Sequence, residues 1–280
     1  MKILPLFFLA ATTAWAGPVA DHLGLQMYSL RVILKDQGLT AALDQTKAFG
    51  LTAIEGSAST KGTTVAQMKA AVAERGMTLV AAGMGYEQLE KDLAGSVAQA
   101  KEAGVHFVSV TWIPHHGDDF TEAEATKAAT DFNRWGAAFK EAGIAFVYHP
   151  HGYEFKPRAD GQNLFDLIVH QTKAGDVSFE MDVFWIVHGG QDPVKLLTKY
   201  PDRWCTMHVK DIRKGAPTGI YTGHAPATDD VAVGTGQVDW PSVLITAHAH
   251  GVQWYFIEDE STTPLQNIPQ SIAYIRSLGL

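Results

Sequence analysis

The sequence predicts a (β/α)8 barrel, a TIM barrel, in one domain over residues 17–280, on three observations. Eight short apolar runs alternate with amphipathic stretches along the chain. No G-x-G-x-x-G phosphate fingerprint stands between Tyr28 and Leu39, which lowers the competing open parallel sheet without excluding it. No low-complexity linker and no internal repeat beyond the β/α period marks a second domain.

The elements follow in order. Residues 23–28 (L-G-L-Q-M-Y) form a compact strand, and residues 39–49 carry apolar side chains at helical spacing until Gly50. Residues 51–54 are a strand ending in Glu55, 65–73 a helix stopped by Gly76, and 78–82 a strand ending in Gly83. A longer helical pattern fills 88–103 before Gly104, and 105–112 is the fourth strand. Residues 121–142 are Ala-rich and amphipathic, with Thr121 three residues before Glu124 as a capping box and Gly143 as the stop. The fifth strand, 144–148, breaks at once into His149, Pro150, His151 and Glu154. A helix over 164–172, strand six over 177–181, a short helix over 193–199 and strand seven over 205–209 come next. A loop of about 25 residues, rich in Gly, Pro, Thr and Ala, is long enough to be a functional lid. A helix over 240–250, strand eight over 254–257 and a terminal helix over 268–278 complete the chain.

Residues 1–16 read as a secretory signal peptide: Lys2, an apolar run over 3–11, and Ala14-Trp15-Ala16 as an A-x-A cleavage signature, with cleavage after Ala16. A secreted or periplasmic location is therefore expected. The apolar run is too short to span a bilayer, no later segment is long and apolar enough, and the mature chain is expected free of the membrane. The single Cys205 forbids an internal disulfide, so the core alone must stabilise the exported chain. A net charge of -8 without a basic cluster argues against nucleic acid and, weakly, against highly anionic substrates.

Polar residues recur where predicted strands end: Glu55; His149, His151 and Glu154; Asp182; His208, Lys210 and Asp211; Glu258. In a barrel those ends converge on one face, where the chemistry is carried. Taken singly, each has a plainer reading, because carboxylates after a strand often cap the next helix and histidines cap carbonyls. Pro150 favours an extended His149, so that His149 and His151 tend to face the same way. Two Glu, one Asp and one His form an oxygen-rich set that suits Mn2+, Mg2+ or Co2+ more than structural Zn2+. Such an ion polarises a carbonyl while a nearby Glu or His removes the proton on the adjacent carbon.

Four stretches resemble one family: L-G-L-Q-M-Y-S-L-R from Leu23, V-Y-H-P-H-G-Y-E-F from Val147, M-H-V-K-D from Met207 and Y-F-I-E-D-E from Tyr255. E-M-D-V-F-W around Asp182 and G-T-G-Q-V-D-W before and including Trp240 also fit. The chain resembles, over nearly all of residues 17–280, the sugar phosphate isomerase/epimerase group of the xylose isomerase-like, AP endonuclease 2-type TIM barrels. The resemblance implies one divalent metal ion, Mn2+ ahead of Mg2+, Co2+ or Zn2+, held by Glu154, Asp182, His208 and Glu258. Family relatives place a Glu where His149 stands, which makes His149 the other candidate for the fifth-strand ligand. It further implies His151 as acid/base, with Glu258 and Glu154 beside it in catalysis. Lys210 would hold a substrate oxygen, His149 would contact substrate, and Glu55 and Trp185 would line the pocket. A homo-oligomer is implied in the same way.

Two positions depart from the family pattern: Pro150 replaces an Asn, and Thr235 stands where a Glu is common. The export signal and the negative charge turn the expected substrate from a sugar phosphate to a free ketose, a 3-keto-glycoside or an inositol-like ketone. Isomerisation or epimerisation through an enediolate is the expected reaction. Elimination from the same species by a lyase or dehydratase, metal-dependent phosphoester hydrolysis, and non-catalytic sugar binding are the alternatives. His115 and His116 invite a second metal, but a solvated loop explains them as well. His224, His248 and His250 suit surface or packing roles, and Trp112 and Trp185 stand at strand ends where an aromatic ring stacks on a sugar or simply packs.

Overall fold

The computed structural model describes residues 19–60 and 62–280; the leader over residues 1–16 lies outside them. Eight parallel strands close a barrel: β1 Leu23–Gln26, β2 Ala53–Gly56, β3 Thr78–Gly83, β4 Phe107–Val110, β5 Ala145–Tyr148, β6 Val177–Asp182, β7 Trp204–Val209 and β8 Trp254–Ile257. Each strand pairs with its sequence neighbour, and β1 closes on β8 through Leu23 opposite Tyr255 and Leu25 opposite Ile257.

Strand periodicity explains why the barrel is apolar below and polar at its mouth. Side chains two apart share a face. Along the inward face, Ala53 precedes Glu55, Phe107 precedes Ser109, Val147 precedes His149, and Phe256 precedes Glu258. The first of each pair joins one buried cluster with Val80 and Ala81. The second stands one layer nearer the strand ends. Gly24 is required here, because a Cβ on it would lie 2.7 Å from the Phe256 ring and 2.9 Å from the Ala53 carbonyl oxygen.

The outward residues of the strands pack against α1 Arg31–Asp36, α2 Leu39–Ala48, α3 Val65–Ala73, α4 Tyr86–Lys91, α5 Leu93–Ala103, α6 Glu122–Glu141, α7 Leu164–Gln171, α8 Val183–His188, α9 Pro193–Lys199, α10 Trp240–Ala249 and α11 Pro264–Ser277. The Thr121 capping box is present, with the Glu124 N–H donating to Thr121 Oγ1 at 3.3 Å and the Thr121 N–H to Glu124 Oε2 at 2.7 Å.

Several elements differ from the sequence expectation, among them strand four, which is confined to Phe107–Val110, and the terminal helix, which begins at Pro264. Strand one stops at Gln26, whose side chain accepts from the Tyr28 N–H and starts a 3-10 turn over Met27–Leu30. The helix read over 88–103 is two helices, because Asp92 leaves the helical conformation and caps α5 by accepting from the Gly95 N–H at 2.9 Å. Helix α8 was hidden in an apolar run that reads as strand; Asp182 caps it through the Trp185 N–H at 3.0 Å. The long loop after β7 carries a two-residue antiparallel ladder, Asp211–Ile212 with Asp230–Val231.

Candidate metal centre

The residues read from the strand ends converge. His149 at the end of β5, Asp182 at the end of β6 and His208 in β7 are buried, and one ligand atom from each lies within 4.8 Å of the others. His149 Nε2 stands 3.7 Å from Asp182 Oδ2, which stands 3.6 Å from His208 Nδ1, which stands 3.1 Å from Glu258 Oε2. A tetrahedron with bonds of about 2.1 Å has edges of about 3.4 Å, close to the spacings along this chain of atoms; His149, Asp182 and His208 form the compact group, and Glu258 adjoins it through His208. His149 Nε2 and Asp182 Oδ2 are buried without a hydrogen-bond partner. Two orphaned atoms facing each other in a buried site are costly unless something serves both.

The layer beneath sets the tautomers. Glu180 Oε2 faces His149 Nδ1 at 3.1 Å, so that nitrogen carries the proton and Nε2 keeps its lone pair. Glu55 Oε2 faces His208 Nε2 at 2.9 Å, and the other ring nitrogen, Nδ1, faces Glu258 Oε2 at 3.1 Å on the mouth side. Ser109 donates to Glu55 Oε1 at 2.9 Å and Thr206 to Glu180 Oε1 at 2.7 Å, so these carboxylates are held in place. Glu55, Glu180 and His208 Nε2 also lie within 4.8 Å of one another. Each of their facing atoms has a hydrogen-bond partner, whereas His149 Nε2 and Asp182 Oδ2 of the other group have none, so the candidate cage is the group with the orphaned atoms and this one lies beneath it.

Electrostatics agree. Burial pushes the His208 imidazole down, yet the carboxylates of Glu180, Glu258 and Glu55 outweigh it and hold His208 well above its usual pKa. Burial pushes Glu258 up, but Lys210 and His208 hold it well below the carboxylate range. Within the supporting layer, burial and the Glu180 charge push Glu55 up, whereas His208 and His149 overcome burial at Glu180 and push it down. A divalent cation would replace the proton on His208 Nδ1.

Glu154, expected among the ligands, is turned elsewhere. Gly152 takes a left-handed conformation (φ 96°) and sends the chain into a 3-10 turn over Tyr153–Phe155. The buried carboxylate accepts from the Tyr148 hydroxyl and from the His151 N–H at 3.1 Å. Neither ligand group contains it, and neither contains Glu258. The compact candidate group at the mouth is two imidazoles and one carboxylate, less oxygen-rich than the sequence suggested.

The remaining expected residues surround the cluster. His151 lies 4.6 Å from the His149 ring and 5.3 Å from that of Trp185, and its Nδ1 is buried without a partner. Lys210 is buried, with Nζ 3.3 Å from Glu258 Oε2 and 3.0 Å from Glu260 Oε2. A cavity of ≈ 400 Å3 is lined by His149, His151, His208 and Glu258, and by Tyr28 and Thr111.

Asp211, next to Lys210, organises the base of the lid. Its carboxylate accepts from the N–H groups of Gly234, Gly236 and Val238 and from Trp240 Nε1 at 2.9–3.3 Å. The two motifs M-H-V-K-D and G-T-G-Q-V-D-W are thus one hydrogen-bonded unit. A Cβ on Gly236 would lie 2.1 Å from Asp211 Oδ1. Thr235 donates to the Ala232 carbonyl and takes no part in the cluster. Farther along, Gly223 presses the loop against Trp112 and Tyr153.

Trp112 packs rather than standing free: His115 stacks on it at 4.9 Å and His224 at 5.8 Å. His115 donates through Nδ1 to the Ile113 carbonyl, 2.7 Å away, and His116 is exposed; neither joins a ligand group among the described residues. His248 and His250 lie at the end of α10. The one residue of the centre that sequence reasoning missed is Glu180. Its signal was present, because two positions before Asp182 on a strand means the same inward face.

Comparison with known proteins agrees with the architecture. A family model described as xylose isomerase-like TIM barrel matches residues 43–278. The chain is 28% identical to an inosose dehydratase of Bacillus thuringiensis over 156 residues, 53% of this chain and 51% of that protein. The chain thus spans about half the length of that relative. A sugar phosphate isomerase/epimerase structure from Parabacteroides distasonis superposes with a TM-score of 0.72 at 24% identity, covering 90% of this chain and 92% of that one. The IolI protein with a bound zinc atom superposes with a TM-score of 0.66 at 14% identity, covering 92% and 96%.

Proposed function

Because the chain belongs to the xylose isomerase-like TIM barrel family, we propose that it is a divalent-metal-dependent enzyme that removes the proton beside the carbonyl of a neutral polyhydroxy ketone, a keto-sugar or cyclitol ketone. The observation that carries this reading is the pair of orphaned atoms, His149 Nε2 and Asp182 Oδ2, set beside His208 Nδ1 and Glu258 Oε2. His149 takes the fifth-strand ligand position and Glu154 is a structural carboxylate. Two imidazoles favour Mn2+, Co2+ or Zn2+ over Mg2+.

The bound ion supplies a Lewis acid that polarises the carbonyl. His151 Nδ1, buried without a partner in the cavity wall, accepts the proton from the adjacent carbon. Lys210, held by Glu258 and Glu260, donates to the oxygen on which negative charge develops. Trp185 covers one side of this volume with its ring near His151. Return of the proton to the neighbouring carbon isomerises the ketone, and return to the opposite face epimerises it.

The likeness to inosose dehydratase favours a second reading, in which the same carbanion expels a β-hydroxyl or β-alkoxyl group. Both readings share the proton-abstraction step. The test is incubation in D2O with a panel of ketoses, 3-keto-glycosides and inosose, followed by NMR. Exchange at one carbon next to the carbonyl, lost on chelation and restored by Mn2+ or Zn2+, supports the proposal; product masses unchanged or reduced by the leaving group separate isomerase from lyase. Absence of exchange across the panel overturns it. From the residues 1–16 leader we further propose that the enzyme works outside the cytoplasm, on a substrate without phosphate.

A further inference from the structure

A second cavity of ≈ 180 Å3 lies on the other side of Lys210 and Trp185 from the reacting volume, and the chemistry above leaves it unfilled. It is lined by Arg31, Trp185, Lys210 and Asp230, and it shares Tyr28 and Glu260 with the larger cavity. Asp230 is only 4% exposed. Its Oδ2 accepts from the Glu260 N–H at 2.6 Å, and its Oδ1 is buried with no partner. A buried carboxylate oxygen that lacks a donor is rare in folded proteins. Asp230 is among the residues that line the cavity, with this oxygen just beneath its wall.

The charges around it decide what that donor is. Arg31 is committed to backbone, donating to the Glu260 carbonyl at 2.9 Å and to that of Tyr28 at 3.3 Å. Lys210 is committed to Glu258 and Glu260. The two cations of the wall, Arg31 and Lys210, stand beside the carboxyl groups of Asp230 and Glu260, so the cavity is not a concentrated anion site. Aromatic faces are present: Trp185, with Lys210 Nζ 5.6 Å from its centroid, and Tyr28, which is 54% exposed. Aromatic faces, an acceptor without a donor and balanced charge suit a neutral ring bearing hydroxyl groups.

We propose that the second cavity is a subsite for such a ring, so that the substrate is a glycoside whose keto ring occupies the metal-side cavity and whose second, uncharged ring donates a hydroxyl to Asp230 Oδ1. This identifies the substrate class for the function proposed above and rests on that reading.

The test is calorimetric titration of the Zn2+-loaded full chain with cellobiose, maltose and trehalose, each against glucose and methyl glucoside. The expected result is that at least one disaccharide binds about tenfold tighter than its monosaccharide and that Asp230→Ala lowers that ratio by about tenfold, the worth of one buried hydrogen bond. Because Asp230→Ala alters a buried position, Ala227→Phe provides a second variant: Ala227 is exposed in the same wall, and the ring fills the cavity. It too should lower the ratio about tenfold. Equal affinities for disaccharide and monosaccharide across the panel, or a ratio unchanged in both variants, overturns the proposal and leaves the cavity to water. Binding ratios need no turnover, so a failure of this subsite and a failure of deuterium exchange are read separately.

Discussion

His149 Nε2 and Asp182 Oδ2 face one another across 3.7 Å at the mouth of the barrel, both buried, and neither has a hydrogen-bond partner. The separation is too long for a direct hydrogen bond, and the other nitrogen of the His149 ring is engaged with Glu180 at 3.1 Å. The pair therefore fits a shared cation, and the layer below it exists to keep both rings in the tautomer a cation needs.

Glu180→Gln should weaken divalent-metal binding by about 10–100-fold without removing a ligand, because the amide no longer fixes the His149 and His208 tautomers. Competition titration with a chelating dye measures this. An affinity equal to that of the unaltered chain would show that Glu180 has no supporting role.

Metal uptake should release protons. His208 is held well above its usual pKa by Glu180, Glu258 and Glu55, so it carries a proton on Nδ1 that a cation must displace. Titration in two buffers of different ionisation enthalpy reports the number released. Near pH 7 about one proton per ion is expected; none would place the ion elsewhere.

Glu154 gives a pH signature in stability. Burial raises its carboxyl to about 7, against 4.5 for the ordinary group. Between those values the folded chain binds more protons than the unfolded chain, so this group's contribution falls as pH rises from 4.5 to about 7. Glu154→Gln stays neutral and removes that slope. The difference in unfolding free energy, variant minus unaltered chain, should grow by about 3 kcal/mol from pH 4.5 to 7.5. Denaturant melts at several pH values measure it, and parallel profiles would contradict the account.

Asp211→Asn should loosen the lid at its base. An amide nitrogen would face donors that the carboxylate now accepts from Gly234, Gly236, Val238 and Trp240. A loss of about 3 kcal/mol is expected, with faster proteolytic cleavage between residues 213 and 239. Cleavage at the unaltered rate would show that the loop is held by other contacts, such as Gly223 against Trp112 and Tyr153.

The barrel was legible because its signal is periodic: eight apolar runs, each followed by a helical pattern and most by a glycine stop. The candidate site was legible at strand ends, where Glu55, His149, Asp182, His208 and Glu258 each directly follow an apolar residue. Glu180 was less visible because it sits inside β6, flanked by Phe179 and Met181, and only its inward register gives it a role. Glu154 was over-read for the opposite reason. The spacing in V-Y-H-P-H-G-Y-E-F does not say that Gly152 reverses the chain and carries Glu154 to Tyr148. Helix α8 was missed because Val183–Val187 is apolar throughout, a pattern shared by buried strand and buried helix. Asp230 carries no local motif at all; its position depends on a two-residue ladder with Ile212.

The most direct measurement is anomalous diffraction from crystals grown with Zn2+ or Mn2+. The account predicts one peak within about 2.0–2.3 Å of His149 Nε2, Asp182 Oδ2, His208 Nδ1 and Glu258 Oε2. A peak held by Glu154, a peak among Glu55, Glu180 and His208 Nε2, or no peak at the mouth would contradict it.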